Sequence, residues 1–291
     1  MKKHAYLIMA YNSPNQLKKL INLLDDERND IFLHIDADSD FPVDDFLNIT
    51  EKSKIYFVDR ISVKWAHYSQ IQAELNLLKA ATQNANYHYY HLLSGMDLPL
   101  KTQDEIHDFF KDCNDEFIAT VPFEGQYQID HVKYFYPLLR FKVFRKSVFL
   151  KAINELCVWF QKVLRINNIK DFCDMHFYDG WNWFSITDKF ARYVIDNENK
   201  IEKIFRYAKA PDEMVLQTLA MNSEFKERIH CTKDLKYGCM RFIDWQRGQP
   251  YVWQEGDFDE LMNSPYLFAR KFQDDTVFDM IYKSILKKQN N

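Results

Sequence analysis

Hydrophobic and polar residues follow two alternating periods along the first 122 residues. Short apolar runs of strand length are separated by longer segments in which apolar residues recur every three or four positions. Runs of the first kind are typical of buried parallel strands, and segments of the second kind are typical of amphipathic helices. Their alternation predicts an α/β fold with a mostly parallel central sheet flanked by helices. The runs of strand length lie at residues 5–10, 31–35, 54–58, 87–93 and 116–121, the last ended by Pro122.

Capping residues mark the start of two predicted helices. Ser13, Pro14 and Gln16 have the residue types of an N-cap, a first helical residue and the partner that completes a capping box. Thr102 and Glu105 have the same spacing and predict a second capping box. Further helices are predicted after Trp65 and at residues 103–110, 149–164, 187–196, 212–219 and 274–286.

The composition is that of one globular domain. The chain has 291 residues, 47% of them hydrophobic, which is enough for a large buried core. No linker rich in glycine or serine divides it, and we predict a single domain over residues 1–291. The formal net charge of −4 does not fit the broadly basic surface of a nucleic-acid-binding protein. No nucleic-acid partner is expected.

The N-terminus and the cysteines bear on localisation. Lys2 and Lys3 precede an apolar run, but that run is too short for a signal peptide and passes directly into a predicted helix start. No stretch approaches the roughly 18 apolar residues of a membrane span. The five cysteines are odd in number and contain no Cys-x-x-Cys pair, which indicates free thiols. These features predict a cytoplasmic protein.

Residues 131–166 combine aromatic and basic side chains. They contain eight lysines and arginines but a single acid, Glu155. One interpretation is a solvated basic face on a helix that packs against the core. The other is docking to an anionic membrane surface, with the protein peripheral at the inner face of the cell membrane. The basic residues are Lys133, Arg140, Lys142, Arg145, Lys146, Lys151, Lys162 and Arg165.

The segment 91–102 carries a predicted strand into a lone carboxylate. Gly95 permits a sharp turn, Asp97 follows it, and Pro99 prevents the strand from continuing. Asp97 is therefore expected at the carboxyl end of a strand, where open α/β sheets bind ligands. Taken alone, it could equally be an aspartate that caps a turn.

Three further segments stand in register with this one, at residues 65–73, 210–213 and 267–272. Together with the Gly-Met-Asp-Leu-Pro-Leu-Lys-Thr string they resemble the motifs of the core-2/I-branching β-1,6-N-acetylglucosaminyltransferase and peptide O-xylosyltransferase family, in the family's order. The resemblance spans most of the chain but leaves residues 123–175 unmatched. It implies a GT-A-like nucleotide-sugar transferase fold, with a nucleotide-binding half at 1–122 and an acceptor and diphosphate-binding half at 123–291.

The resemblance implies a catalytic base. A bare Pro-Asp-Glu string is usually only a favourable helix start, but the family's catalytic glutamate occupies the place of Glu213. Such a base would take the proton of an acceptor hydroxyl. Asp212 would then be a capping or orienting residue.

The resemblance also implies a diphosphate site that uses cations instead of a metal. Lys271 matches the family's lysine directly, and Arg247 matches its arginine after a shift of one residue, with Arg241 and Arg270 as alternatives. Arginine and lysine together can neutralise a diphosphate as a divalent ion would. The Asp-x-Asp pairs at residues 36–40 could instead hold a metal, although the resemblance places Asp36 on the uridine. We predict neither a metal nor another cofactor.

The remaining site residues fall into two groups. The donor pocket is predicted to combine Met9, Ala10, Asp36, Arg60 and Asp97. For the acceptor, Trp181, Trp183 and Trp245 could stack on sugar faces, although burial in the core fits the first two equally well.

The predicted activity is inverting transfer from a UDP-sugar to a glycan hydroxyl, forming a β-linkage in a surface glycan. The resemblance favours N-acetylglucosamine as the transferred sugar, with xylose as the alternative. A non-catalytic carbohydrate-binding or membrane-associated module of the same fold is the rival hypothesis. Motifs of serine hydrolases, P-loop enzymes and dinucleotide-binding proteins do not occur in the sequence.

Overall fold

The computed structural model describes residues 2–290. Its central sheet has the strand order β3-β2-β1-β4-β9-β6, beside a three-stranded sheet β10-β11-β5 and a two-stranded sheet β7-β8. The strands are β1 (His4–Ala10), β2 (Asn29–Ile35), β3 (Lys54–Phe57), β4 (Tyr89–Ser94), β5 (Leu98–Pro99), β6 (Phe117–Ile118), β7 (Val121–Pro122), β8 (Tyr178–Asp179), β9 (Phe184–Thr187), β10 (Arg241–Ile243) and β11 (Phe268–Arg270).

The α-helices are α1 (Pro14–Leu24), α2 (Ser69–Asn84), α3 (Gln103–Phe110), α4 (Gln126–Lys133), α5 (Val148–Val163), α6 (Asp188–Asp196), α7 (Glu198–Phe205), α8 (Val215–Met221), α9 (Leu235–Cys239), α10 (Phe258–Met262) and α11 (Asp275–Gln289). Short 3-10 turns join several of them. The predicted α/β architecture with a mostly parallel central sheet is confirmed, since β1 pairs in parallel with both β2 and β4, and β2 with β3.

Both faces of the central sheet are buried under helices. Leu7 points to the side covered by α2 and α6, whereas Ile8 points to the side covered by α1 and α3. Along α2, Ile71 and Leu75 recur at helical spacing and are fully buried. Burial of each such side chain contributes about 1.5–3 kcal/mol. The alternation seen in the sequence thus produces the two-sided core.

The parallel register brings the ends of the strands to one edge, which we call the carboxyl edge. Met9 near the end of β1 lies opposite His34 of β2 and Ser94 of β4. Strand β9 runs antiparallel to β4, with Ser185 opposite His91. Residues that precede β9 therefore lie at the same edge as the residues that follow β4.

A second pairing brings a C-terminal segment to this edge. Strand β11 is antiparallel to β5, with Ala269 opposite Leu98 and Phe268 opposite Pro99. The next residue of β11, Arg270, therefore reaches Asp97, which precedes β5. Because β9 also joins the central sheet, residues on both sides of position 122 share one sheet. The functional division at residue 122 stays a prediction.

The details of several predicted elements differ. The Thr102–Glu105 capping box is confirmed, but the one at Ser13 is wrong: Ser13 is left-handed, with φ 55°, and its side chain caps nothing. Gln16 is buried and instead donates to Asp275 of α11 at 2.9 Å, which draws it away from the helix start.

Two other predicted elements are interrupted. The predicted strand at 116–121 is split into β6 and β7, which belong to different sheets. The predicted helix at 212–219 begins as a 3-10 turn at Pro211–Glu213, and α8 follows at Val215. In the described part of the chain, no helix is both long enough and apolar enough to cross a membrane.

Candidate active site

The predicted donor residues of the first half come together at the carboxyl edge. Asp36 follows β2 and donates its backbone N–H to the carbonyl of Ala10 at 2.9 Å. Arg60 donates to the carbonyl of Asp36 at 2.9 Å. Gly95 donates to the carbonyl of Met9 at 3.0 Å, and a Cβ on Gly95 would lie 3.3 Å from that of Ala10. Glycine therefore permits the close approach of the two strand ends.

Asp97 lies at this edge, as its position after β4 predicts. It is buried, and its carboxylate accepts from the backbone N–H and the hydroxyl of Ser94, both at 2.8 Å. Its other neighbour is Arg270, whose Nε lies 3.5 Å from Oδ1 of Asp97. Asp97 therefore both closes a turn and holds a cation at the edge.

Two consecutive cations lie at the end of β11, which closes with Arg270 and is followed by Lys271. The Arg270 guanidinium lies 3.7 Å from the centre of the Trp183 ring, a cation–π contact. Lys271 is half-buried and forms no ion pair with a described residue. Burial lowers the pKa of Lys271, and the neighbouring charges of Arg270 and Arg145 lower it further. The carboxylate of Asp97 offsets only part of this lowering, so a bound anion would stabilise the positive charge of Lys271.

Arg145 extends this cationic group from the segment between α4 and α5. Its guanidinium lies 5.5 Å from the centre of the exposed Trp65 ring. The sequence marked Arg145 only as part of a basic segment, because nothing local indicates which distant residues it approaches.

Arg247 and Arg241, the other predicted arginines, are engaged elsewhere. Arg247 pairs with Asp244 at 2.5 Å, Asp257 at 3.1 Å and Glu260 at 3.0 Å, while stacking over Trp253. Trp253 donates its backbone N–H to the carbonyl of Lys271, so Arg247 lies in the neighbourhood of the lysine. A diphosphate would have to compete with three carboxylates for Arg247.

Arg241 is fully buried beneath the edge. It donates to the carbonyls of Cys239 and Phe184, both at 2.8 Å, and to the hydroxyl of Ser185 at 3.0 Å. These bonds join β10 to β9, so Arg241 ties the two sheets together.

Glu213 lies in the 3-10 turn and is exposed to solvent. Protein atoms nevertheless surround its carboxyl group, and this partial dehydration raises its pKa. The nearby carboxylates of Asp212 and Asp179 raise that pKa further, while Lys209 partly offsets them. A carboxylate of raised pKa that remains accessible has the properties of a general base.

Two left-handed residues hold the turn that carries Glu213. Ala66 has φ 57° and Ala210 has φ 50°, an uncommon conformation for residues other than glycine. The N–H of Ala210 donates to the carbonyl of Ala66 at 3.0 Å. Gln70 of α2 fastens both segments, since it accepts from the N–H of Ala66 and donates to Asp212, each at 2.7 Å. The sequence motif at 65–73 contained Gln70, but gave it no role.

Glu74, one turn further along α2, is a buried acid that lies just outside the sequence motif at residues 65–73. It is 1% exposed, and neither carboxyl oxygen has a hydrogen-bond partner. Burial raises its pKa well above the ordinary value, and the charge of Asp212 adds to this. A side-chain contact with Asn182 partly offsets this, and burial still favours the neutral form of Glu74. The Oδ1 atoms of Asn182 and Asp212 are also buried without partners, so acceptors for its proton lie in this region.

The three predicted tryptophans lie near one another. Trp183 precedes β9 at the carboxyl edge and is half-buried beneath Arg270. The rings of Trp181 and Trp245 have their centres 6.2 Å apart; Trp181 is half-buried and Trp245 is exposed. All three retain accessible surface, which sugar stacking requires.

The first two carboxylates of the Asp-x-Asp segment, at residues 36–40, already bind other groups of the protein. The Asp36 carboxylate accepts from the N–H of Asp38 at 2.8 Å, and Asp38 binds Ser62 at 2.7 Å and the ammonium of Lys64. Within residues 2–290, no three His, Cys, Asp or Glu side chains are grouped as ligands for a metal ion.

Contacts connect the cations to the predicted base. Arg145, which adjoins Lys271, lies over Trp65. The next residue, Ala66, binds Ala210, and Ala210 in turn accepts from the N–H of Glu213 at 3.2 Å. A chain of contacts thus leads from the cations to the turn that carries Glu213.

A known family model matches most of the chain. The family model described as "Branch: Core-2/I-Branching enzyme" matches residues 4–260. The chain belongs to the core-2/I-branching enzyme family. The match includes the 3-10 turn of Glu213, whereas Lys271 lies beyond it.

Curated relatives are similar at low identity. The bovine β-1,3-galactosyl-O-glycosyl-glycoprotein β-1,6-N-acetylglucosaminyltransferase is 26% identical, over 93% of this chain and 66% of its own length. The human protein of that name is 24% identical with the same coverage. Xylosyltransferase 2 of Rattus norvegicus is 21% identical, over 92% of this chain and 32% of its own length. The chain thus spans about two thirds of the first two relatives and one third of the third.

Solved structures are similar only distantly. The glycosyltransferase GlyE of Streptococcus pneumoniae TIGR4 aligns with a TM-score of 0.39 and 10% identity, over 99% of this chain and 64% of that one. Residues 1–349 of S. aureus TarS, in complex with UDP, align with a TM-score of 0.30 and 15% identity, over 49% and 44%.

Proposed function

We propose that this protein is an inverting glycosyltransferase of GT-A-like fold that transfers a sugar from a UDP-sugar to a glycan hydroxyl. One observation carries the proposal: a chain of contacts through Arg145, Trp65 and Ala66 links the half-buried cation Lys271 to the turn of Glu213, an accessible carboxylate of raised pKa. Family membership supports it, because the named relatives are glycosyltransferases.

In the proposed reaction, Glu213 takes the proton of an acceptor hydroxyl. The acceptor oxygen attacks the anomeric carbon from the side opposite the diphosphate and forms the new glycosidic bond. The bond between that carbon and the diphosphate oxygen breaks, and UDP leaves with the electron pair. An α-linked donor would therefore give a β-linked product.

The leaving diphosphate needs positive charge as its bond breaks. Lys271 is proposed to supply it together with Arg270, which is adjacent in sequence and pairs with only one described carboxylate, Asp97. The family pattern offers Arg247 as the alternative arginine for the diphosphate. To bind it, Arg247 would have to release its three carboxylate partners. Lys64 already neutralises Asp38, which supports a mechanism that relies on these cations and not on a metal.

The donor is proposed to lie along the ends of β1, β2 and β4, with Asp36 on the uridine. N-acetylglucosamine is the preferred sugar because the first relatives transfer it by name, and xylose is the alternative. Trp181, Trp183 and Trp245 are proposed to stack on the acceptor.

A donor screen tests this function. Melting temperatures measured with UDP-N-acetylglucosamine, UDP-xylose and UDP-glucose should rise most with the true donor, because a ligand at 100 times its Kd stabilises by about 2.7 kcal/mol. That donor should also release UDP when glycan acceptors are added. A specific shift without UDP release from any acceptor would favour the binding-module hypothesis, and no shift with any nucleotide sugar would contradict the donor site.

A further inference from the structure

Helix α5 exposes an apolar face. Among the described residues, 17 large hydrophobic side chains are exposed, and nine of them lie between positions 141 and 164. On the helix, Leu156, Trp159 and Val163 recur at spacings of three and four, so they form one stripe. The nine are Phe141, Val143, Val148, Phe149, Leu156, Trp159, Phe160, Val163 and Leu164.

The inward face of α5 is narrow and partly polar. Asn154 and Val158 are its buried residues, and Gln161 bonds to the backbone of Phe135 as both donor and acceptor, at 2.9 and 2.8 Å. A helix that packs on a protein core normally buries its apolar side and exposes its polar side. Here the larger apolar side faces outward. An exposed apolar face of this kind indicates an interaction site for another apolar surface.

Cations surround this face. Lys142, Arg145, Lys146 and Lys151 are all exposed and stand before or within the first turn of α5, and Arg165 follows its end. Lys146, Lys151 and Arg165 pair with no described acid, whereas Lys162 pairs with Asp130 at 2.6 Å. An apolar stripe with unpaired cations at its border complements the acyl chains and anionic headgroups of a lipid bilayer.

We infer that α5 and the preceding residues 141–147 dock on an anionic lipid bilayer, with the stripe at the boundary between headgroups and acyl chains. A second copy of the chain is a poorer partner for the same face, because it would bring two sets of like charges together. The interpretation of residues 131–166 as a basic face over a core-packed helix does not account for the exposed stripe.

This surface is continuous with the candidate active site. Phe144 belongs to a small core that also contains Ala66 and Tyr134, with Ala210 packed against it. Arg145 lies over Trp65. A bilayer beneath α5 would thus lie beside the turn that carries Glu213. If the proposed function holds, the acceptor is a glycan carried on a membrane lipid.

Vesicle flotation tests the docking. The whole chain is mixed with vesicles of phosphatidylcholine alone, or with about 30% phosphatidylglycerol, because anionic lipid should supply roughly 1 kcal/mol per nearby cation. We expect flotation with the anionic vesicles, weakened by added salt and much weaker without phosphatidylglycerol. Absence of flotation with the anionic vesicles would overturn the inference.

Matched variants locate the surface. The triple variant Leu156→Ser/Trp159→Ser/Phe160→Ser should lose at least about fivefold in vesicle binding, since each removed side chain contributes apolar burial. The control is Leu47→Ser/Phe109→Ser/Tyr237→Ser, which alters three exposed hydrophobic residues elsewhere and should float as the wild type does. Equal flotation of both triple variants would overturn the assignment to α5.

Charge reversal and a solution assay complete the test. Lys146→Glu/Lys151→Glu should weaken binding by about tenfold or more, whereas Lys226→Glu/Lys287→Glu, on exposed positions outside the surface, should not. UDP release with a water-soluble acceptor should be unchanged in all four variants, which separates failure of docking from failure of the proposed function. A wild-type dimer dissolved by the α5 triple variant, without flotation, would identify a second copy as the partner and contradict the bilayer.

Discussion

Gln70 of α2 donates a 2.7 Å hydrogen bond to the carboxylate of Asp212, the residue before Glu213. The same side chain accepts from the N–H of Ala66, so it fastens the two left-handed segments that border the site. Gln70 thus links α2, which packs on the central sheet, to the turn that carries the proposed base Glu213. Gln70 is therefore a positioning residue.

Replacing Gln70 should lower turnover without weakening the binding of the UDP-sugar donor. Gln70→Leu removes a hydrogen bond to a carboxylate, which is worth about 1.5–3 kcal/mol, and frees the turn of Glu213. We expect kcat to fall by about tenfold or more while KM for the UDP-sugar stays near wild type. Gln72→Leu, at an exposed position of the same helix, is the control. Equal kinetics of the two variants would exclude the positioning role.

The pH profile should respond to Asp179. Its charge helps to raise the pKa of Glu213, and the base must be ionised to act. Activity is therefore lost as the pH falls through a raised pKa. Asp179→Asn removes that charge and should move the acid limb of kcat/KM to lower pH, whereas Asp174→Asn, an exposed control, should leave it in place. If the acid limb of the kcat/KM profile stayed in place or moved to higher pH in Asp179→Asn, the assignment of Glu213 as the base would be contradicted.

UDP affinity should discriminate among the cations. We expect Lys271→Met to weaken UDP binding by about tenfold or more, as hydrogen bonds to charged groups contribute about 1.5–3 kcal/mol. Arg270→Met should weaken it comparably, and Arg247→Met less, because Arg247 already binds three carboxylates. Calorimetric titration with UDP measures all three. A larger loss for Arg247→Met than for Arg270→Met would restore the family's arginine to that role.

Metal independence has its own test. Because Lys271 and an arginine are proposed to do the work of a divalent ion, UDP release should persist in excess chelator. Activity abolished by chelator and restored by manganese would overturn the metal-free mechanism and point to the carboxylates at Asp36 and Asp38.

Glu74 should make stability depend on pH. Burial favours the neutral form of Glu74 in the folded protein, whereas the unfolded chain loses this proton at the ordinary glutamate pKa. Above that pKa the unfolded state binds fewer protons, so stability falls as the pH rises. Each pKa unit between the states contributes about 1.4 kcal/mol. Glu74→Gln should melt at a higher temperature than wild type at pH 8 and lose that advantage near pH 4, unlike the exposed control Glu227→Gln. If Glu74→Gln raised the melting temperature equally at pH 4 and pH 8, the claim that folding raises the pKa of Glu74 would be contradicted.

The sequence predicted the frame of the site because that frame depends on local patterns. Strand-length apolar runs and the Gly95 turn placed Asp97 at the carboxyl edge, and the structure brings Met9, Ala10, Asp36 and Arg60 to that edge as well. These positions follow from parallel strands of similar length, a feature that hydrophobic periodicity encodes.

The contacts made by α2 and the segment before α5 could not be predicted in this way. Gln70 and Glu74 are four residues apart on a helix whose buried residues are mostly apolar, a signal that two polar groups meet a buried partner. The partner, Asp212, lies 142 positions from Gln70 in the chain. Likewise, the proximity of Arg145 to Lys271 depends on tertiary packing.

Glu213→Gln tests the proposed mechanism most directly, because it keeps the size of the side chain and removes only its ability to accept a proton. With the donor identified by the screen and a glycan acceptor, kcat should fall by about a hundredfold or more, while calorimetry shows UDP affinity close to wild type. Glu224→Gln, at an exposed position in another 3-10 turn, should keep both values. Transfer by Glu213→Gln at the wild-type rate would contradict the claim that this carboxylate activates the acceptor.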